Sequence, residues 1–293
     1  MIIMQMMGGL GNQMFQYALG RRLSIELNTN LKLDLSWFLN QSKRNFELHN
    51  YKTSYQLATS DDIDYIYRFS SNKILLKLFM MFQRIIPTHK RKIFYETETE
   101  LMNKFKLQIN KNCYLIGYWQ SEKYFTSIKE IIQNDFQLNI QPDNYHNNLA
   151  NQIKNCNSVS VHFRRGDYLE DEKINSIHGI LNNSYYYSSI EFISTLISEP
   201  HLFFFSDDIE WVKKNINCTH TCTFINNDCL DKDSKELWLM SQCKHNIIAN
   251  SSFSWWGAWL NKNRDKVVIA PKKWFINPKM NTDNIVPESW VRL

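Results

Sequence analysis

From Val159 to the C-terminus, short apolar runs alternate with helix-period segments, and this alternation limits the folds open to the chain. The runs "VSVHF", "LFFFS", "CTFI", "HNIIAN" and "KVVIA" are separated by "YYYSSIEFISTLI", "DDIEWVKKNI", "SKELWLMSQC" and "FSWWGAWLN". Short apolar strands alternating with helices imply parallel sheets covered on both faces. The intervening segments are long enough to be the crossover helices that parallel pairing requires. The N-terminal third opens the same way, with "IIMQMM" as strand, "NQMFQYALGRRLSIEL" as helix and "LKLDL" as strand. Further on, "CYLIGYW" reads as strand and "SEKYFTSIKEIIQNDF" as an amphipathic helix. The polar stretch Gln137 to Asn148, with Pro142 and several asparagines, reads as a linker. The expectation is α/β: two Rossmann-type domains, 1–140 and 150–293, facing across a cleft. The segment from Asn40 to Lys111 is less regular, with helical stretches, and no internal repeat is visible.

The 293 residues suit one large or two medium domains. Lysine and arginine exceed aspartate and glutamate by 34 to 29, a net charge of +5. That permits an anionic ligand but falls short of the dense basic stripe of a nucleic-acid binder. The six cysteines form no C-x-x-C pair and no trusted zinc spacing, so they read as free cytosolic thiols. The N-terminus lacks a basic n-region and reads as strand, not signal peptide. No stretch reaches the ~18 apolar residues of a membrane span. In "KILLKLFMMFQRII", Lys73 to Ile86, the positions of Lys73, Lys77 and Arg84 share one helical face with apolar residues elsewhere. Two readings are open: an interfacial membrane helix, or a helix packed into the protein with snorkelling lysines.

In sheets of this kind ligands sit beyond the carboxyl ends of the strands. "GGLGNQ", Gly8 to Gln13, lies between a strand and a helix, where free N–H groups suit an anion and glycines allow close approach. As a dinucleotide fingerprint it fails at Met14, although Asp34 ends the next strand where a ribose-binding acid would sit. "HFRRGDY" carries Arg164, Arg165 and Asp167 at the tip of a core strand that also bears His162. Arginine offers forked, charge-assisted bonds to phosphate. Two consecutive side chains cannot both face one ligand, so Arg164 is expected to face the site and Arg165 to support the loop, paired with Asp167. "SDD" adds Asp207 and Asp208, either capping a helix or binding a guanine edge or a ribose. "ANSSFS" adds Asn250, Ser251, Ser252 and Phe253 at another helix start. Trp255, Trp256 and Trp259 read as packing. Asp62-x-Asp64 and Asp231-x-Asp233 are D-x-D matches, but both precede apolar runs as helix caps do.

Taken together and in order, "GGLGNQMFQYA", "HFRRGDY", "FSDD" and "HNIIANSSFSWWGAWLN" resemble the bacterial α-1,2-fucosyltransferases of glycosyltransferase family 11. The likeness covers nearly the whole chain except Asn40 to Lys111. It implies a GT-B-like fold, an N-terminal domain on the acceptor side and a C-terminal domain that binds GDP-β-L-fucose. Fucose would pass to the 2-hydroxyl of a terminal galactose, with inversion and without an essential metal or other cofactor. By the same likeness, Arg164 would grip the β-phosphate and His162 would approach the nucleoside. Asp207 and Asp208 would lie near guanine, Asn250 to Phe253 would hold the pyrophosphate, and Gly11 and Asn12 would contribute from the glycine loop. Gln13, Arg165 and His178 are candidates for the acceptor side. Asp167, Glu170 and His178 are candidates for a general base. Expected partners are GDP-fucose and an acceptor such as lactose, N-acetyllactosamine or a lipid-linked glycan, at a cytoplasmic or peripheral inner-membrane location and without nucleic acid. The alternatives are fucose transfer through another linkage such as α-1,6, an NAD-dependent oxidoreductase, and a non-catalytic lectin.

Overall fold

The computed structural model describes residues 1–39, 44–67, 73–87, 90–96, 109–166, 175–177, 179–226, 228–277, 282 and 284–293, without the side chains at 73, 76, 80 and 84. The chain divides into two compact units, Met1–Asn139 and Ile140–Leu293. The break falls inside the polar stretch around Pro142. The second half of that stretch is helix instead of linker, because Asp143 accepts the His146 N–H at 3.1 Å and starts a helix at Asn144.

The first unit carries strands β1 (Ile2–Gln5), β2 (Leu31–Asp34), β3 (Gln56–Leu57), β4 (Ile93–Tyr95) and β5 (Cys113–Ile116). They form one sheet in the order β3-β2-β1-β5-β4, with every pair parallel. Helix α1 (Leu10–Glu26) is buried nearly all round, which is why its sequence lacks a polar face. The short helix α2 (Ser36–Leu39) follows β2, α3 (Ser60–Tyr67) and α4 (Lys73–Ile85) precede β4, and α5 (Lys129–Asp135) closes the unit. The helix expected over "SEKYFTSIKEIIQNDF" is shorter than its pattern. Phe125, at φ −140° and ψ 11°, leaves the helical region and divides the segment into two 3-10 turns and α5. Strands β3 and β4 fall in the stretch that looked irregular, being two and three residues long.

The second unit runs α6 (Asn144–Lys154), β6 (Asn157–Phe163), α7 (Asn183–Leu196), β7 (Pro200–Ser206), α8 (Ile209–Asn215), β8 (Thr221–Phe224), α9 (Lys232–Gln242), β9 (His245–Ile247), α10 (Ser252–Leu260), β10 (Val268–Ala270) and β11 (Val291–Arg292). Its sheet order is β11-β10-β9-β6-β7-β8, again wholly parallel. Every strand and helix expected after Ser158 is present. One core lies under β6, β7 and α7, with Val159, Val161 and Phe163 facing Tyr186, Ile190 and Leu202. A second holds Phe203, Phe205, Leu239 and Met240 on the opposite face. Leu202 and Phe204 enter the first core and Phe203 and Phe205 the second, which is why β7 reads as an unbroken apolar run, while β6 turns Ser158, Ser160 and His162 to the face opposite Val159, Val161 and Phe163. Trp255, Trp256 and Trp259 are core, as expected, and the Trp255 indole donates to the Ile285 carbonyl at 2.8 Å. All six cysteines are free.

Candidate active site at the carboxyl edge of the second sheet

From β6 the chain steps outward to β7 and β8, and later returns beside β6 with β9 before stepping out the other way. The sheet's topological switch point therefore lies between β6 and β9, where an open α/β sheet offers its ligand crevice. Arg164 leaves β6 there, and Asn250 and Ser251 leave β9. The parallel register pairs Phe163 with Ser206, which brings Asp207 beside the loop after β6.

That register explains the two arginines and the glycine. Asp207 accepts the N–H of Arg165 at 2.9 Å on one oxygen and the N–H of Gly166 at 3.0 Å on the other. The Arg164 guanidinium stands 3.3 Å from the same carboxylate. A Cβ on residue 166 would come within 3.0 Å of an Asp207 oxygen, so the loop closes around this carboxylate most easily with glycine. Asp207 thus shapes the loop and stands against Arg164, a role distinct from the expected guanine contact. Arg165 turns the other way. It lies over the Trp211 ring at 3.4 Å, with its Nε 3.7 Å from Asp208. This aromatic and ionic support was not visible in the sequence, where Asp167 was the expected partner. Asp167, Glu170 and His178 lie outside the described residues. Asp208 caps α8 through the Trp211 N–H at 3.3 Å, the capping alternative for that position.

His162 is 2 % exposed, and burial holds its pKa down to about 3, with the Arg164 charge acting in the same direction. The imidazole is therefore neutral at ordinary pH, and its Nδ1 has no hydrogen-bond partner. Its ring lies 5.6 Å from Phe253, in the first turn of α10. Ser251 caps α10, accepting the Phe253 N–H at 3.3 Å. The other early N–H groups of a helix have no intrahelical acceptor, so this end favours an anion. Asn250 is buried and donates to the carbonyls of Gly179 and Trp274, fixing the turn from behind. Glu236 on α9 is another site neighbour missed in the sequence. It is 6 % exposed, and its carboxyl is pushed up to about 8, mainly by burial, against the opposing charge of Lys232. Asp207 is among the charges that raise it.

In the first unit the switch point lies between β1 and β5, and the glycine loop sits on it. Gly8 has φ +77°, and a Cβ there would meet the Asn12 amide at 2.7 Å. Gly9 occupies the N-cap position of α1 without a side-chain cap, and Gly11 is buried in the first turn. Asn12 accepts from the Gln120 amide at 2.7 Å. Gln13 is not placed to meet an acceptor. It is fully buried and its amide spans the loop, donating to Gly8 and Asn45 and accepting the Glu47 N–H. Two residues near this loop carried no sequence signal. Arg44 approaches Gly9, within 3.7 Å of where a Cβ would stand. Glu96, just after β4, accepts the Tyr118 N–H at 2.6 Å, and burial raises its pKa.

Asp34 cannot reach a nucleotide ribose. It is 4 % exposed and accepts from the Ser36 N–H, the Ser36 hydroxyl and the Tyr114 hydroxyl. This removes the acid on which the oxidoreductase alternative depended. Asp62 caps α3 through Thr59 and pairs with Lys32 at 2.6 Å, which lowers its pKa to about 2. Among the described residues one group, Asp143, His146 and Cys229, has a metal-like spacing. The Lys235 ammonium already stands there, 3.2 Å from Asp143 and 3.7 Å from the Cys229 sulfur.

Comparison with known proteins agrees with this architecture. The family model described as glycosyl transferase family 11 matches residues 1–293. An Escherichia coli protein named alpha-1,2-colitosyltransferase is 36% identical over 100% of this chain and 98% of its own length. The E. coli O-antigen biosynthesis glycosyltransferase WbnK is also 36% identical, over 98% of each chain. A mouse galactoside alpha-(1,2)-fucosyltransferase 1 is 27% identical over 53% of this chain and 43% of its own. Among solved structures, the fucosyltransferase NodZ from Bradyrhizobium superposes with a TM-score of 0.51 at 10% identity, over 87% of this chain and 91% of that one. The likeness to NodZ is one of fold, and the fold is α/β and GT-B-like, as the motifs implied. The chain belongs to glycosyltransferase family 11.

Proposed function

We propose that the chain transfers L-fucose from GDP-β-L-fucose to the 2-hydroxyl of a terminal β-galactoside, with inversion, in surface-glycan or O-antigen synthesis. The observation that carries this reading is the Arg164 guanidinium, oriented by Asp207 at the switch point of the second sheet. The N-terminus of α10 and the unpartnered Nδ1 of His162 share that edge. Breaking the C1–O bond of a nucleotide sugar leaves the electron pair on the β-phosphate, while positive charge grows on the sugar ring. A preorganised guanidinium and helix-terminal N–H groups meet that negative charge directly. The acceptor oxygen forms its bond to C1 on the face opposite GDP, and its proton passes to a base. Asp167, Glu170 and His178 remain the candidates for that base. With cationic and N–H donors available, the leaving group needs no divalent ion.

The linkage is supported by relatives whose names specify α-1,2 transfer, and the donor by a NodZ structure co-crystallised with GDP at a TM-score of 0.50. That enzyme is named an alpha-1,6-fucosyltransferase, so the fold alone does not set the linkage. The colitosyltransferase relative favours a second reading, in which the sugar is colitose. Colitose lacks the 3-hydroxyl of L-fucose. Incubation with GDP-fucose or GDP-colitose, and with lactose, N-acetyllactosamine or a lipid-linked galactoside, separates the two, with the product linkage read by NMR. An α-1,2-fucosylated galactoside is expected. Turnover of GDP-colitose alone would establish the second reading, and release of GDP with neither acceptor product would refute both.

A further inference from the structure

Helix α4 presents an apolar face to solvent. Ile74, Leu78, Met81, Phe82 and Ile85 are 73%, 57%, 64%, 59% and 79% exposed. Their spacing places them on one side of a 3.6-residue helix. The opposite side holds the helix to the first unit. Gln83 is 5% exposed, and its carbonyl accepts the N–H of Lys92 at 2.7 Å, while Phe79 packs on the cluster of Ile3, Ile66, Ile93 and Tyr114. The exposed stripe is therefore not a frayed helix, because the element is docked by its other side. The helix is thus packed on the protein by one side, as one of the two readings has it, while the apolar stripe on its other side stays exposed.

Charge indicates what covers the stripe. From Tyr65 to Tyr95 the sequence contains lysines and arginines and no aspartate or glutamate. Lys77 is exposed on the helix, and Lys90 is exposed just beyond Pro87, which follows its end. Two copies of this chain meeting through α4 would set one basic flank against the other. An anionic lipid surface satisfies both halves of the pattern, taking the apolar stripe among its acyl chains and the cations among its headgroups. At 13 residues the helix is roughly 20 Å long, too short to span a bilayer, so it would lie in the interface plane.

We propose that α4 is an interfacial helix that seats the first unit on an anionic membrane surface. This holds whether or not the donor and linkage assignment above is right. The test is flotation of the intact chain with vesicles of phosphatidylcholine, or of phosphatidylcholine mixed equally with phosphatidylglycerol. The wild type is expected to float with the anionic vesicles at low salt, to be released by high salt, and to stay behind with the neutral ones. Met81→Asp with Ile85→Asp should cut the bound fraction at least tenfold, and Lys77→Glu should weaken it further. Neither change should alter turnover on a soluble acceptor. Phe82→Trp, which keeps the stripe apolar, should give an emission that moves to the blue on anionic vesicles only. Equal binding of the wild type to neutral vesicles would overturn the proposal, as would undiminished binding of the double variant or an unchanged Trp emission. A concentration-dependent dimer abolished by the same aspartates, without vesicle binding, would make α4 a self-association face instead.

Discussion

Replacing Asp207 with alanine separates the two roles open to that carboxylate. In the structure it takes two backbone N–H groups, at 2.9 and 3.0 Å, and lies 3.3 Å from the Arg164 guanidinium. A hydrogen bond to a charged acceptor contributes about 1.5–3 kcal/mol net. The Asp207 side chain is 24% exposed, so water recovers part of the two bonds in the variant. The expected loss of stability is therefore about 2–3 kcal/mol, less than the simple sum, and is read as a lower urea midpoint at unchanged slope. Asparagine keeps one acceptor oxygen and should lose roughly half as much. The kinetic effect should be of similar size, since a 100-fold slower step corresponds to about 2.7 kcal/mol. Freed from its partner, Arg164 no longer meets the leaving phosphate in one geometry, and a misplacement of ~1 Å can cost ~10² in rate. Rapid-quench measurement at saturating donor should show the chemical step of Asp207→Ala slowed about 100-fold, with only a modest change in GDP affinity by calorimetry. A guanine contact would give the reverse, a large loss of GDP affinity with the saturated rate preserved. That reverse pattern, or a fully stable Asp207→Ala, would refute the loop-shaping account.

Three further outcomes follow from other sites. Gly8→Ala should lower stability by about 1–2 kcal/mol, because a Cβ at φ +77° is strained and meets the Asn12 amide. Gly9→Ala, whose Cβ would have only ordinary contacts at 3.7 Å, should lose less in the same urea titration, its cost confined to a poorer N-cap for α1. Glu236 stays protonated in the fold up to about 8 but ionises near 4.5 when unfolded, so its contribution weakens as pH rises between those values, by at most about 1.4 kcal/mol per pH unit. Glu236→Gln should therefore be more stable than the wild type at pH 8 and lose that advantage near pH 4.5, and an unchanged pH dependence would contradict the buried carboxyl. Excess EDTA should leave the initial rate unaltered, since Arg164 and the α10 terminus carry the leaving-group charge, and a rate restored only by added divalent ion would contradict this.

The second unit was legible because short apolar-rich strands alternate there with helix-period segments. The strands β6, β7, β8, β9 and β10 and the helices between them all stand where the pattern placed them. The two-residue strands β3 and β11 carry no period and were not legible, nor was β4 within its irregular stretch, whereas β9 and β10, three residues each, lie inside the apolar runs "HNIIAN" and "KVVIA". The placement of Arg164 followed from its position at a strand end, and the cap by Asp208 from its place before a helix. The partners of the loop were hidden. Asp207 lies 42 residues beyond Arg165 and reaches it only through the β6–β7 register. The stacking of Arg165 on Trp211 depends on the same register. Gln13 resembled a ligand contact because it follows a glycine loop, yet the structure uses its amide to bind that loop together. Likewise Asp34 sits where a ribose acid would, and only its bonds to Ser36 and Tyr114 show that it is occupied.

The measurement that bears most directly on the central claim is the single-turnover rate of Arg164→Lys with GDP-fucose and a galactoside acceptor. Lysine keeps the positive charge but not the forked donor set. If the guanidinium stabilises the departing diphosphate, the rate should fall by ~10²–10³, the scale for losing one preorganised donor, while the chain stays folded and still binds GDP. A lysine variant that turns over within a few-fold of the wild type would contradict the claim.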